Sequence, residues 1–386
     1  MKISISVPGR FWAFFLAKHL NDHGYLHCLV TSYPLFEVKK YGVPVAKVKT
    51  IVSKEVIQRL YRKLTGRYPK GAFLNNWFDR IASRKLPTDS DIYVIWAGFG
   101  SHSIEYLRKK NPHALFLIER GSTHIEVQNE LLKICQKSAQ PIDPGIIKKE
   151  LIEYQLADYI ILGGNFSKKS YLDKGIPEKK LFVNNYGVDL SKFNISEKEY
   201  QKQTGVFTIG YVGILDDRKN IKGLINAVKM LIEKGYHLKL LLAGQIDINV
   251  ITTAVLSSMP FIDYRGTLPE YELPGLYREM DIFVLNSVED GFGMVLLQAM
   301  AMEVVPIATY NTGGPDLIKN GFNGFLIPIL DDTALADCIE KLIHSPEKEK
   351  IGKNAMETVK SGYSWQDYGD RAIEFYKRIF KNEDPL

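Results

Sequence analysis

The stretch DIFVLNSVEDGFGMVLLQAMAMEVVPIA (281–308) concentrates groups that could do chemistry in a short span. A strand-like run ends in an acidic turn, Gly291-Phe292-Gly293 follows, and a helical pattern runs from about Met294 to Ala301. Small glycines at a strand-to-helix turn leave backbone N–H groups pointing outward at a helix N-terminus, where the dipole favours an anion. This is a candidate seat for a diphosphate, framed by Gly291, Phe292, Gly293, Met294 and Val295. Asp290 stands just before it, and Gln298 lies eight residues later, about two turns down the same helical face. One of these side chains is placed to address a sugar and the other a ribose. The same spacing also suits a plainer role, with Asp290 and Glu289 merely capping the helix.

A second element is YVGILDDRKNIKGLINAVKML, in which Arg218 and Lys219 sit between a strand and an amphipathic helix. Cations in a loop at the C-terminal end of a strand are suited to neutralise a diphosphate leaving group, and they are equally at home in a solvated loop. Thr312-Gly-Gly314 opens a similar turn, where the glycines serve backbone geometry. No Asp-x-Asp strand end, HExxH or Cys/His cluster occurs, so no metal site is expected.

Positioning these groups falls to strands alternating with helical segments along nearly the whole chain. KISISVP, LHCLVTS, DIYVIWAG, ALFLIER, YIILGG and KLFVNNYG occupy the first half; FTIGYVG, LKLLLAG, FIDYRG, DIFVLNS, VVPIATY and FLIPI the second. Strands apolar throughout require helices on both faces of the sheet. The expected class is therefore α/β, with two Rossmann-like doubly wound domains facing across a cleft. The polar run 196–205 suggests domains at 1–195 and 196–363. A C-terminal helix over 364–386 is left to pack on either domain, with return to the first one option.

The order VGxLxxxK, LLxAG, YRG, DGFGxxxLQAMA and GGxxxLIxxGxNGxL resembles the donor domain of glycosyltransferase family 4, whose members have the GT-B fold. The likeness is dense over about 150–380 and only in outline before that. It implies a retaining, metal-independent transfer from a nucleotide-sugar donor, UDP by preference, to a glycan or lipid-linked acceptor, with no cofactor. The family's paired acids fall on Asp290 and Gln298, and its phosphate-binding Arg and Lys on Ile214 and Lys219, leaving Arg218 as a stand-in for the arginine. The family's cleft histidine points to His124, with Arg120 closer to the strand end. The first turn puts Gly9 and Arg10 near the donor phosphates, and the YRG turn puts Arg265 near the base. The implied catalytic set is Asp290, His124, Lys219 and Arg120. The rivals are a catalytically weak nucleotide-binding scaffold, motivated by Ile214 and Gln298, and an epimerase on the same fold.

Composition agrees with an ordinary globular chain: 386 residues, 45% hydrophobic and 24% charged. Cys28, Cys135 and Cys338 form no CxxC pair, which speaks against a disulfide framework and for a reducing compartment. The apolar run FWAFFLA is too short for a signal peptide and is bracketed by Arg10 and Lys18. The net charge of +6 splits into 31 Lys/Arg against 19 Asp/Glu over 1–200, and 19 against 25 thereafter. Within 39–85, 13 Lys/Arg face only Glu55 and Asp79. In that segment Ile51, Val52, Val56, Leu60 and Leu64 recur at helical spacing. This suits an anionic membrane surface, an anionic polysaccharide, or a solvated helix with an ordinary core stripe. Nucleic acid is not expected, because no recognition motif accompanies the charge. The expected location is cytoplasmic, peripheral at the inner face of the cell membrane.

Overall fold

The β-branched and leucine-rich runs become two parallel sheets in the computed structural model, which describes residues 1–65, 71–135, 142–194 and 205–383. The first sheet contains β1 (Ile3–Val7), β2 (Leu26–Thr31), β3 (Val48–Thr50), β4 (Ile92–Trp96), β5 (Leu115–Arg120), β6 (Tyr159–Leu162) and β7 (Leu181–Val183), in the order β3-β2-β1-β4-β5-β6-β7. The second contains β8 (Phe207–Val212), β9 (Leu238–Ala243), β10 (Ile262–Tyr264), β11 (Ile282–Leu285), β12 (Val305–Thr309) and β13 (Phe325–Ile327), in the order β10-β9-β8-β11-β12-β13. Ile3, Ile5, Val7, Ile92 and Val94 are fully buried, as a sheet covered on both faces demands. Short β3 at one edge was not foreseen from the sequence. The expected boundary at 195/196 and most of the polar run lie outside the described residues.

Strand order reverses between β1 and β4 in one sheet and between β8 and β11 in the other. Ligands of open parallel sheets bind at the C-terminal ends of strands at such switch points. Residues following the switch-point strands of both domains line one cleft between them.

The largest core crosses the domain junction. Trp12 lies on Tyr186 with ring centroids 4.2 Å apart, and Tyr186 meets Phe292 edge-on at 5.4 Å. Gly291 is pressed against the Gly121 carbonyl, so a side chain there would overlap the other domain.

The helix Trp365–Phe380 begins with a capping box, Ser364 with Asp367, and returns to the first domain. Phe15 stacks on Trp365 at 4.2 Å and Phe182 on Phe375 at 3.8 Å. Among the described residues, no helix is long and apolar enough to cross a membrane.

Candidate active site

A cleft of about 590 Å³ opens between the two switch points. Phe11, Trp12, Trp96, Glu119, Arg120 and Ser122 line it from the first domain; Asp216, Arg218, Asp247 and Asp290 line it from the second.

The turns after β8 and β11 bring Lys219, which does not itself line the cleft, into an ion pair with Asp290, which does. Both are largely shielded from water. Burial alone would raise the Asp290 carboxyl, but the Lys219 and Arg218 charges outweigh it and hold the group below the usual carboxylate range. Arg218 donates to the Glu289 carbonyl at 3.1 Å, and its guanidinium lies 3.4 Å from the Glu289 carboxylate. It therefore reaches the cleft close to the Lys219–Asp290 pair, while Ile214 is about half exposed and brings no charge.

The capping role for the acidic pair is not what the fold uses. The helix Met294–Ala301 starts at Gly293, whose φ of 80° is left-handed, and no side chain caps it. Asp290 turns to Lys219. Glu289, fully buried, turns to the opposite domain, where the Ser122 and Thr123 hydroxyls and the Thr123 N–H donate to it. Consecutive acids thus serve different domains. Reasoning from sequence missed the Glu289 bridge, because nothing along the chain announces the approach of Ser122 and Thr123 from the other domain.

On the opposite wall, Glu119 at the end of β5 accepts from the Trp12 indole at 2.8 Å and from the Tyr368 hydroxyl at 3.4 Å. Burial outweighs these bonds and pushes its pKa up to about 8, so it is a neutral acid with an O–H to donate at pH 7. In the unfolded chain the same group ionises above its ordinary value of 4.5. Its presence therefore destabilises the fold progressively as pH rises from about 4.5 to about 8. Glu119→Gln is expected to raise the thermal midpoint at pH 8 and to leave it unchanged near pH 4. A midpoint difference that does not vary between those pH values would show that Glu119 is not buried as a neutral acid.

The other expected site residues divide clearly. Arg120 reaches the cleft, but its guanidinium is held 2.8 Å from Glu150 and donates to Gln128 at 2.8 Å. His124 does not line the cleft. It is packed between the rings of Tyr154 and Tyr171, both at 5.1 Å, and burial lowers its pKa to about 4. Gly9 is buried, its carbonyl accepting from the Thr31 hydroxyl at 2.9 Å, whereas Arg10 is exposed and donates to the Tyr41 hydroxyl. Arg265 pairs with Asp263 and Glu279 on its own surface, at 2.8 and 2.9 Å. Phe292 is a fully buried anchor at the domain seam, and Met294 and Val295 pack as half-buried side chains on the main core. Gln298 accepts from the Tyr277 hydroxyl at 3.1 Å, which orients the amide. Phe11, not foreseen, is 52% exposed at the cleft with a φ of 41°, a conformation unusual for a bulky residue.

Residues 192–358 match the family model described as glycosyl transferases group 1. The chain is 28% identical over 252 residues to the capsular polysaccharide biosynthesis glycosyltransferase CapM of Staphylococcus aureus, covering 62% of this chain and 66% of that protein. It is 32% identical over 188 residues to the putative glycosyltransferase EpsD of Bacillus subtilis, covering 46% and 49% respectively. The matches thus span about half to two thirds of these curated relatives. Among solved structures, a Rickettsia africae glycosyltransferase aligns with a TM-score of 0.70 at 20% identity, covering 99% of each chain. Anabaena HepE in complex with UDP-glucose aligns at 0.69 and 14% identity, covering 98% of this chain and all of that one. These two likenesses show the fold.

Proposed function

We propose that this chain, a GT-B protein carrying a glycosyl transferases group 1 domain, is a glycosyltransferase of polysaccharide or glycolipid assembly. In this reading it moves a sugar from a UDP-linked donor to a glycan or lipid-linked acceptor held by the first domain. The observation that carries the reading is the Lys219–Asp290 pair, with Arg218 beside it, at the glycine turn facing Glu119 and Trp12 across the cleft. A relative named for capsular polysaccharide biosynthesis, and a structural neighbour described with UDP-glucose, support the choice of donor and product.

The diphosphate would lie over the N-terminus of the helix Met294–Ala301, with Lys219 and Arg218 offsetting the charge that develops as the glycosidic bond breaks. Asp290 would accept from sugar hydroxyls and Gln298 from the ribose. No metal takes part in this scheme. The acceptor hydroxyl attacks on the face from which the diphosphate leaves and passes its proton to a leaving phosphate oxygen, retaining the anomeric configuration. Screening nucleotide sugars for slow donor hydrolysis by the EDTA-treated protein tests the reading. One UDP-sugar turned over without added metal is the expected result; nucleoside diphosphate binding without turnover would leave the scaffold alternative, and absence of both would refute the reading.

The basic segment is assigned to an anionic membrane surface. Ile51, which begins the apolar row, is buried in the first domain's core, but the helix Val52–Thr65 that carries the rest of the row has no buried side chain, so beyond Ile51 the row is not the ordinary core stripe that the sequence also allowed. Leu60 is 54% exposed and Leu64 76%, with Phe73 at 74% nearby. Arg59, Arg62 and Lys63 lie on the same helix. Each basic residue near an anionic surface adds about 1 kcal/mol. Changing those three to Gln is therefore expected to weaken co-sedimentation with phosphatidylglycerol-rich vesicles by about a hundredfold. Changing Leu60 and Leu64 to Ser should abolish the salt-resistant part. Equal binding to neutral phosphatidylcholine vesicles would refute the assignment.

A further inference from the structure

No metal-ligating cluster is visible along the chain, yet folding makes one. The first helix, Ala13–Asp22, carries His19 in its last turn and ends at His23, one turn on. The C-terminal helix, Trp365–Phe380, crosses it and brings Asp370 from 351 residues away in sequence. The two imidazole centroids are 4.4 Å apart, and His19 Nε2 is 2.9 Å from Asp370 Oδ1. One ligating atom from each of the three residues lies within 4.8 Å of the others. None of them lines the cleft.

We propose that His19, His23 and Asp370 form a zinc site that clamps the C-terminal helix to the first domain. Two imidazoles and a carboxylate are a donor set suited to zinc, with water in the fourth position. Ligands about 2.0–2.1 Å from a tetrahedral ion lie about 3.4 Å from one another. The set observed needs only small side-chain rotations to reach that spacing. His23 and Asp370 are exposed and free to make them, which also provides the entry path. His19 is the fixed member: it is buried, and the Gly369 backbone is so close to its ring that any side chain at 369 would overlap it.

The surroundings favour ligation. His23 Nδ1 is 2.9 Å from the His19 carbonyl, so it donates there and leaves Nε2 with its lone pair outward, the tautomer control typical of ligating histidines. On the first helix Asp22 faces the site and is paired with Lys18, and on the C-terminal helix Asp370 is accompanied by the Gln366 amide at 3.4 Å and by Arg371. Both neighbouring cations are held by other groups, Lys18 by Asp22 and Arg371 by the Gly362 and Asn185 carbonyls. The plain alternative is a His19–Asp370 hydrogen bond that packs the helix without a metal.

Calorimetric titration of the tag-free, EDTA-stripped full chain with zinc chloride at neutral pH decides between them. One equivalent bound with micromolar or tighter affinity, together with a raised thermal midpoint, is the expected result. His23→Gln and Asp370→Asn, both at exposed positions, should each weaken zinc binding by at least about tenfold while leaving UDP binding unchanged. Cobalt in place of zinc should give the intense visible bands of a tetrahedral site. Absence of saturable uptake, or uptake unaffected by both substitutions, would overturn the site. Because zinc binding and UDP binding are read separately, failure here is distinct from failure of the transferase reading.

Discussion

Lys219→Ala is expected to weaken UDP binding by about a hundredfold. The ammonium is nearly buried and paired with Asp290, so removing it has two consequences of the same sign. A charge-assisted bond to the diphosphate is lost, worth about 1.5–3 kcal/mol. The Asp290 carboxylate is also left without its partner beside the place where an anion must enter, and like charges repel. The remaining cation, Arg218, is tied to Glu289 and cannot move to replace it without loosening that contact. Titration calorimetry with UDP checks the figure. Affinity within about threefold of the parent would mean that the diphosphate does not lie against Lys219 and that the site has been misplaced.

Asp290→Ala is expected to do the opposite to binding and far more to turnover. With the carboxylate gone, Lys219 is released from its ion pair, so UDP affinity should hold or rise. The reacting sugar, however, loses the group that would orient it, and kcat should fall by about 10²–10³-fold, the usual scale for removing one well-placed polar contact to a reacting centre. Asp290→Asn separates charge from hydrogen bonding, and partial recovery of kcat would assign the role to hydroxyl recognition. Parallel losses in kcat, UDP affinity and thermal stability would instead indicate that Asp290 acts only by holding the turn together. The carboxyl is held below the usual carboxylate range, so its protonation should not limit activity between pH 5 and 8.

Much of the second domain's cleft wall could be read directly from the chain. Apolar strands, the glycine turn at 291–293 and the helix at 294–301 depend on the residues next to one another, because propensity, turn chemistry and periodicity are local properties. Lys219 and Asp290 were legible for the same reason: each follows a strand whose end a doubly wound sheet turns toward its ligand crevice. Facing directions were not legible. Arg265 sits on the expected turn, yet its side chain turns to Asp263, two residues back along the chain, and to Glu279, which the fold brings near from beyond the next helix. His124 sits beside the expected strand end, yet Tyr154 and Tyr171 enclose it.

Adjacent residues show the same limit. Asp290 and Glu289 are equivalent by spacing, and only the approach of Ser122 and Thr123 from the other domain assigns one to the cleft and the other to the seam. The helix over 52–65 has a periodic apolar row that sequence cannot tell from a core stripe; whether a neighbour covers it depends on the rest of the fold. The meeting of His19, His23 and Asp370 depends on where a helix from the end of the chain comes to rest. Local order is encoded by neighbours along the backbone, while burial, pairing and orientation arise from contacts between segments far apart in sequence, and no spacing rule reports them.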